Sequence, residues 1–469
     1  MSQEKSQKIG KTGLSALIIS SAIGTGIFGL MSQLASEASP GSAIVAWVIV
    51  DVGFAALVYC LNHLAQARPD LDSGIFSYAG AAFGPLGEFI SGWGYWLASW
   101  VSNIAFCTMI MSALGNFLPA FKGGQNLPSV LLSCAVVWLI TLLVTLGLKS
   151  ASFVNALVTV CKLIPLLVFL IVMFASFKAG MFTSHFWENV ASSGSPFTAK
   201  SLFTQIQGSL IYLVFVFVGI EGASVMGSKA KKKSDATFAT VASLIALILI
   251  YGFISLLPYG VMTRAQLAAL PQPAMSGILA NTVGVWGEGL VDVGLIISCL
   301  GGLLSWTLLP VETTTLLSQD SLLPKVWSKS NKHGAPLFSL IITALLETLF
   351  LFSFLITSNA YNFASAICST TALACYAFVS IYEIMYSAKN KKPLGLVMGI
   401  ISGLFEILGL VISGWQEVLL LSTCYVPGFA LFIYRRRKEL KKGQIIAMLC
   451  ILALAILAVI LICLGIISF

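Results

Sequence analysis

Charge is what this chain lacks most. Only 9% of its 469 residues are Asp, Glu, Lys or Arg, whereas 58% are hydrophobic. A soluble domain carries roughly 25% charged residues, so a water-soluble globule is excluded. Histidine is scarce as well, and His63, His185 and His333 fall in predicted loops or at the ends of apolar runs, where they are weak ligand candidates. The ten cysteines all lie inside apolar runs, with no CxxC pair and no Cys/His ligand set. They read as small apolar packing residues, which argues against a disulfide framework or a metal site. Walker, HExxH and GxSxG motifs are missing, and no paired catalytic carboxylate stands out. An ATP-driven pump and an intramembrane enzyme therefore have no support, and no cofactor is implied. Alternation of apolar and polar residues is absent, so a β-barrel does not fit. Repeated rings of charge or carbonyl loops, which an ion channel would need, are absent too.

What the chain has in abundance is continuous apolar sequence. About thirteen runs are long enough to cross a hydrocarbon core about 30 Å thick. They cover 13–35, 41–62, 84–118, 128–148, 152–177, 202–227, 238–262, 288–319, 336–356, 361–387, 394–412, 415–434 and 444–467. The expectation is an all-α integral membrane protein in one domain spanning 1–469. The basic N-terminus leads into a first span rather than a cleavable signal peptide. Lys and Arg fall unevenly between the runs. One alternate set of connections carries 21 of them, including Lys229–Lys233 and Arg435–Lys442; the other carries Lys122, Lys178, Lys200 and Arg264. This bias puts the N-terminus in the cytoplasm, and thirteen spans would leave Phe469 outside. The net charge of +8 is thus a topology signal in a bilayer, and nucleic acid is not implied as a partner.

Two short glycine-bracketed segments interrupt long apolar runs: Gly24-Thr25-Gly26 in the first and Gly219-Ile220-Glu221-Gly222 in the sixth. Freed backbone is tolerated at membrane depth only where it lines a protein cavity. Paired breaks in matching positions point to a transporter's substrate site near the midplane, between two inverted repeats. The first ten runs divide into two sets of five, each opening with a broken helix. This gives a five-plus-five core over 12–388 and additional C-terminal helices over 389–469. Those last helices support the scaffold or form an oligomer contact such as a homodimer. At the first break, amides freed by unwinding can face a carboxylate, helped by the positive end of the following half-helix. Close packing of helices through small residues is the competing reading.

Individual residues sharpen this picture. Glu221 lies deep in the sixth run, where an acid is costly and functional by default; gate, proton carrier and structural hydrogen-bond partner all remain open. Lys162 is the one basic residue inside a run. Its ammonium either bridges the first and fifth helices or reaches toward an interface. Tyr95, Ser99 and Asn103 are spaced four apart and share a helical face, which offers an aromatic surface, a hydroxyl and an amide to a polar or cationic side chain. Trp306 and Glu312 lie in the eighth run. Asp51, Glu347 and Glu406 are further intramembrane acids whose partners no motif indicates.

Several motifs in the same order together resemble the amino acid–polyamine–organocation transporter superfamily. They are Ile23-Gly24-Thr25-Gly26-Ile27-Phe28, Asp70 through Tyr78, Gly219 through Ser224 with the tail Ser228–Asp235, and Gly294 through Trp306. Within it the chain is most similar to basic amino acid/polyamine antiporters, with the arginine/ornithine and histidine/histamine exchangers nearest. The resemblance implies a LeuT-like fold in the cytoplasmic membrane. It implies exchange of an external amino acid for an internal product amino acid or amine. Gly24-Thr25-Gly26 would hold the substrate carboxylate, and the backbone at Gly219 and Ile220 the α-amino group. Trp306 would be a middle gate, Tyr95 and Glu221 an inner gate with Tyr376 across from them, and Ser99 and Asn103 would meet the distal cationic group. Lys162 would occupy the place that sodium holds in sodium-coupled relatives. Phe215 stands where such relatives commonly have Trp, and Cys375 where they often have Pro. Proton-coupled import is the rival mechanism, with Glu221 releasing its proton inside.

Overall fold

The computed structural model describes all residues except 1–9, 72–73, 148–151, 192–194, 222–231, 354, 356–359, 413–414, 465 and 467–469. Its described residues are helical, with no named strand among them. The first apolar run forms two half-helices, α1 (Lys11–Ala22) and α2 (Gly26–Glu37). Then come α3 (Pro40–Ala67), α4 (Ile75–Phe117), α5 (Leu127–Thr145), α6 (Ser152–Ser176), the short α7 (Ala179–Ser184) and α8 (Ala199–Phe215). After the second break the chain continues with α9 (Lys233–Leu256), the short α10 (Arg264–Ala268) and α11 (Ala274–Val283), and the long α12 (Val285–Gln319). It ends with α13 (Leu337–Ser353), α14 (Ala360–Lys389), α15 (Pro393–Ile412), α16 (Trp415–Arg436) and α17 (Lys442–Cys463). Ten helices among the described residues are long and apolar enough to cross a membrane. The protein is a multi-pass membrane protein.

Local chemistry sets the helix boundaries. Asn126 caps α5 by accepting from the Ser129 amide at 3.1 Å, with Pro128 filling a position that needs no donor. Thr198 caps α8 in the same way, and Thr263 with Gln266 forms a reciprocal capping box on α10. The third apolar run reads from residue 84 in the sequence, and the reason is visible: α4 is kinked at Gly84-Pro85, where Gly84 leaves helical geometry. Helix resumes before the kink because Ile75, Phe76, Tyr78 and Ala79 are buried there.

The core is built around α4, which packs chiefly on α14 and α12. Its segment from Gly92 to Ala113 is buried on every face, as expected of a helix surrounded by others. The half-helices pair with neighbours that hold the breaks: α1 against α9, α2 against α8. At the other extreme, α17 rests mainly on α16, with Ile446, Leu449 and Ile456 exposed. Exposed aliphatic side chains at this density suit a lipid environment.

Candidate functional site

The first break exposes backbone that a continuous helix would hide. Ile23 is extended, and α2 begins only at Gly26. Among the described residues no backbone carbonyl accepts from the amides of Gly24 or Thr25. The carbonyls left at the end of α1 are taken by side chains instead. Tyr251 donates its hydroxyl to the Ala22 carbonyl at 3.0 Å, and Lys162 donates Nζ to the Ile23 carbonyl at 3.0 Å. A cation at this end also complements the α1 dipole. Lys162 therefore bridges α6 to the first break. Lys162→Met is expected to strand the Ile23 carbonyl and lower stability by about 1–3 kcal/mol; thermal unfolding in detergent, with an unchanged midpoint as the contrary result, checks this.

The second break starts earlier than the sequence suggests. Helix α8 ends at Phe215, and residues 216–221 form turns. Tight bonds replace the helical ladder: Phe217 to Val214, Val218 to Phe215, and Ile220 to Phe217. Gly219 has φ +102°, a conformation in which a Cβ would be strained. The apolar turn is fixed by packing, since Phe217 stacks on Phe54 at 4.5 Å and meets Tyr251 edge-on. Gly222 and the tail to Lys231 lie outside the described residues.

Glu221, 4% exposed, ties this turn to two long helices. The Tyr95 hydroxyl of α4 donates to Oε1 at 2.6 Å, and the Tyr376 hydroxyl of α14 donates to Oε2 at 2.5 Å. The Gly219 amide reaches Oε2 at 3.0 Å. Short bonds from neutral donors to a carboxylate are the strong kind.

Both breaks face one cavity. Gly24, Thr25 and Gly26 line it from the first, and Phe215, Val216 and Val218 from the second. Ser102 and Phe106 of α4 and the partly exposed Trp306 of α12 close the remaining sides. The breaks approach closely: a Cβ on Gly26 would lie 2.8 Å from Val216 Cγ1. Tyr95 precedes Ser102 by seven residues, so the Glu221 cluster sits about 10 Å along α4 from the cavity. Beyond it, at the same end of α4, Arg68 bonds both oxygens of Asp70 and also the Tyr382 hydroxyl. That guanidinium holds the exposed Asp70 carboxyl below its ordinary range.

Of the expected site residues, Gly24, Thr25, Gly26, Phe215 and Trp306 are in the cavity wall; Ile23, Gly219 and Ile220 belong to the two breaks without lining it, and Glu221, Tyr95 and Tyr376 form the separate cluster along α4. Ser99 and Asn103 are placed differently. Ser99 donates to the Tyr95 carbonyl of its own helix, and Asn103 turns to α12 and α13. The cavity face of α4 continues from Tyr95 through Ser102 and Phe106, which the sequence reading missed. A spacing of seven, two helical turns, would have found Ser102. Glu312 is exposed, Glu406 accepts from Ser402, and Asp51 Oδ1 is buried without a hydrogen bond. His63 lies inside α3 and pairs with buried Glu383 at 2.8 Å. All ten cysteines are free.

A family model described as amino acid permease matches residues 9–420. The chain belongs to the amino acid permease family. Its relatives include an arginine/ornithine antiporter of Latilactobacillus sakei, 46% identical over 94% of this chain and 92% of that protein. An arginine/ornithine antiporter of Lactococcus lactis subsp. cremoris is 42% identical over 98% and 90%. An arginine/agmatine antiporter of Chlamydia caviae is 33% identical over 97% and 98%. The likeness to these proteins extends over nearly the whole chain.

Proposed function

We propose that this permease exchanges an external basic amino acid for an internal product amino acid or amine, with arginine for ornithine as the first pair to test. The observation that carries the reading is the meeting of both broken helices at one cavity, with Glu221 clasped by two tyrosines beside it. Freed amides at Gly24 and Thr25 suit a carboxylate, and carbonyls near Gly219 and Ile220 suit an α-amino group. Trp306 is the wall on which the substrate side chain stacks. The Glu221 cluster lies toward the lysine- and arginine-rich side, so in a cytoplasmic membrane with the N-terminus inside it is the inner gate. Two inverted five-helix repeats would alternate around this point. A carrier that reorients only when loaded exchanges without ATP, because the substrate binds the occluded state more tightly than either open state.

Counterflow in proteoliposomes tests this. Labelled arginine should enter quickly only when ornithine or arginine is inside. Uptake into empty vesicles driven by a pH gradient would favour proton symport and reject exchange. Trp306→Ala and Tyr95→Ala should each abolish exchange with expression intact; normal transport by both would remove the gate assignments.

A further inference from the structure

Two glycines, Gly301 and Gly302, stand side by side within α12, although glycine is a poor helix former. Each makes room for a neighbour. A Cβ on Gly301 would meet Val158 Cγ2 of α6 at 2.4 Å, which is the close packing of two helices through a small residue. Gly302 faces something different. A Cβ there would lie 2.4 Å from Cε1, 2.8 Å from Cζ and 3.1 Å from Cδ1 of Phe106. These three nearest atoms all belong to one aromatic ring, so the glycine fixes where that ring lies.

The Phe106 ring is part of the cavity wall. It is 4% exposed and packed in the hydrophobic core, so the cavity is the side on which it has room to give. Trp306, four residues after Gly302 and on the same face of α12, walls the cavity as well. Gly302 thus lies behind one wall ring and one helical turn from the other. A methyl group at Gly302 would force the Phe106 ring to move by about 1 Å to regain ordinary carbon–carbon contact. The space lost is that of about one methylene, taken from the cavity. Neither residue carries a charge or a side-chain hydrogen-bonding group, so the change acts on length and leaves the chemistry of the wall as it was.

We propose that Gly302, acting through the Phe106 ring, sets the longest side chain that the cavity accepts. Gly302 is a positioning residue, because it touches the ring and not the substrate. The recess it provides admits linear side chains up to the length of arginine and sorts them by reach, whatever group they end in. This rests on the exchange reading of the cavity and names what limits its substrates.

The test is counterflow of labelled ornithine into proteoliposomes of the full chain, competed by unlabelled 2,4-diaminobutyrate, ornithine, lysine and arginine. The first three carry the same charged groups and differ by one methylene at each step. Gly302→Ala should weaken arginine relative to ornithine by about 10-fold or more, the usual scale for a methylene in an apolar pocket, with lysine between them. Adding Phe106→Leu, which removes the ring, should restore the wild-type order; absence of that rescue overturns the proposal. Equal loss for all competitors, or loss for none, overturns it too, since spreading of α4 from α12 would not sort solutes by length. If Gly302→Ala does not fold, Phe106→Leu alone serves. It lengthens the cavity and must shift the preference from ornithine toward arginine and homoarginine, and an unchanged order overturns the proposal. A wild-type protein that exchanges neither ornithine nor arginine fails the exchange reading and takes this inference with it. Wild-type exchange with the same length order in the variants leaves exchange standing and removes Gly302 alone.

Discussion

Glu221→Ala should reduce exchange to about one-thirtieth or less of the wild-type rate, with the protein still expressed and monodisperse. The reason is a count of stranded groups. Two buried hydroxyls, on Tyr95 and Tyr376, lose their acceptor, and the Gly219 amide loses its tie. Each buried polar group left without a partner costs about 1–3 kcal/mol. The penalty falls on the state in which these helices are clasped. A loss of about 2–6 kcal/mol there moves a two-state equilibrium by a factor of about 30 or more. Glu221→Gln should be intermediate, because a carboxamide accepts from one phenol and donates to the oxygen of the other. Exchange rates in proteoliposomes decide this, together with labelling of a cysteine placed in the cavity and probed from the inner side. Wild-type rates in the alanine variant would mean that the clasp is not a gate.

The second large effect concerns Gly26. An added Cβ there would sit 2.8 Å from Val216 Cγ1, 3.0 Å from Phe215 Cδ1 and 3.3 Å from Val216 Cα. Side-chain adjustment can ease the two closest contacts, but the backbone of the second break at Val216 Cα must also give by a few tenths of an ångström, and the two further methyls of a valine add to the crowding. Gly26→Val should destabilise the protein by about 1–3 kcal/mol, as overpacking generally does, and should push the two breaks apart and abolish exchange. Gly24 is the contrasting position, because a Cβ there meets nothing within 4 Å. Gly24→Ala should fold with an unchanged melting temperature yet lose most of the thermal shift that arginine gives the wild type. Melting curves with and without arginine separate the two outcomes. Equal behaviour of the two variants would contradict the close approach at Gly26.

Membrane insertion, the order of the helices and the first break are legible in the sequence because each follows from local composition. Long apolar runs have few alternatives in a bilayer, and Gly24-Thr25-Gly26 marks a spot where helix propensity and side-chain packing both fail. The second break is only half legible. Gly219 signals it, but helix is lost three residues sooner, at Val216-Phe217-Val218, which is apolar sequence with nothing locally to stop it. Tertiary packing of Phe217 on Phe54 and of Val216 on Gly26 decides that boundary. The same limit applies on α4. Shared burial of Tyr95, Ser99 and Asn103 follows from their spacing, but which flank meets the cavity depends on the rotation of α4 between α12 and α14. Partners of lone acids depend on helices far away in sequence, so the link from Asn103 to Glu347, 244 residues on, leaves no trace in either local motif.

The bond between Lys162 and the Ile23 carbonyl has one more implication. Its positive charge is covalently tethered to α6, so it can brace the unwound turn yet can never be released on the far side of the bilayer. Support of this kind leaves the ionic gradients of the cell untouched: it adds no current and draws no energy from outside. Uphill movement through the cavity therefore draws nothing from a cation carried at this position.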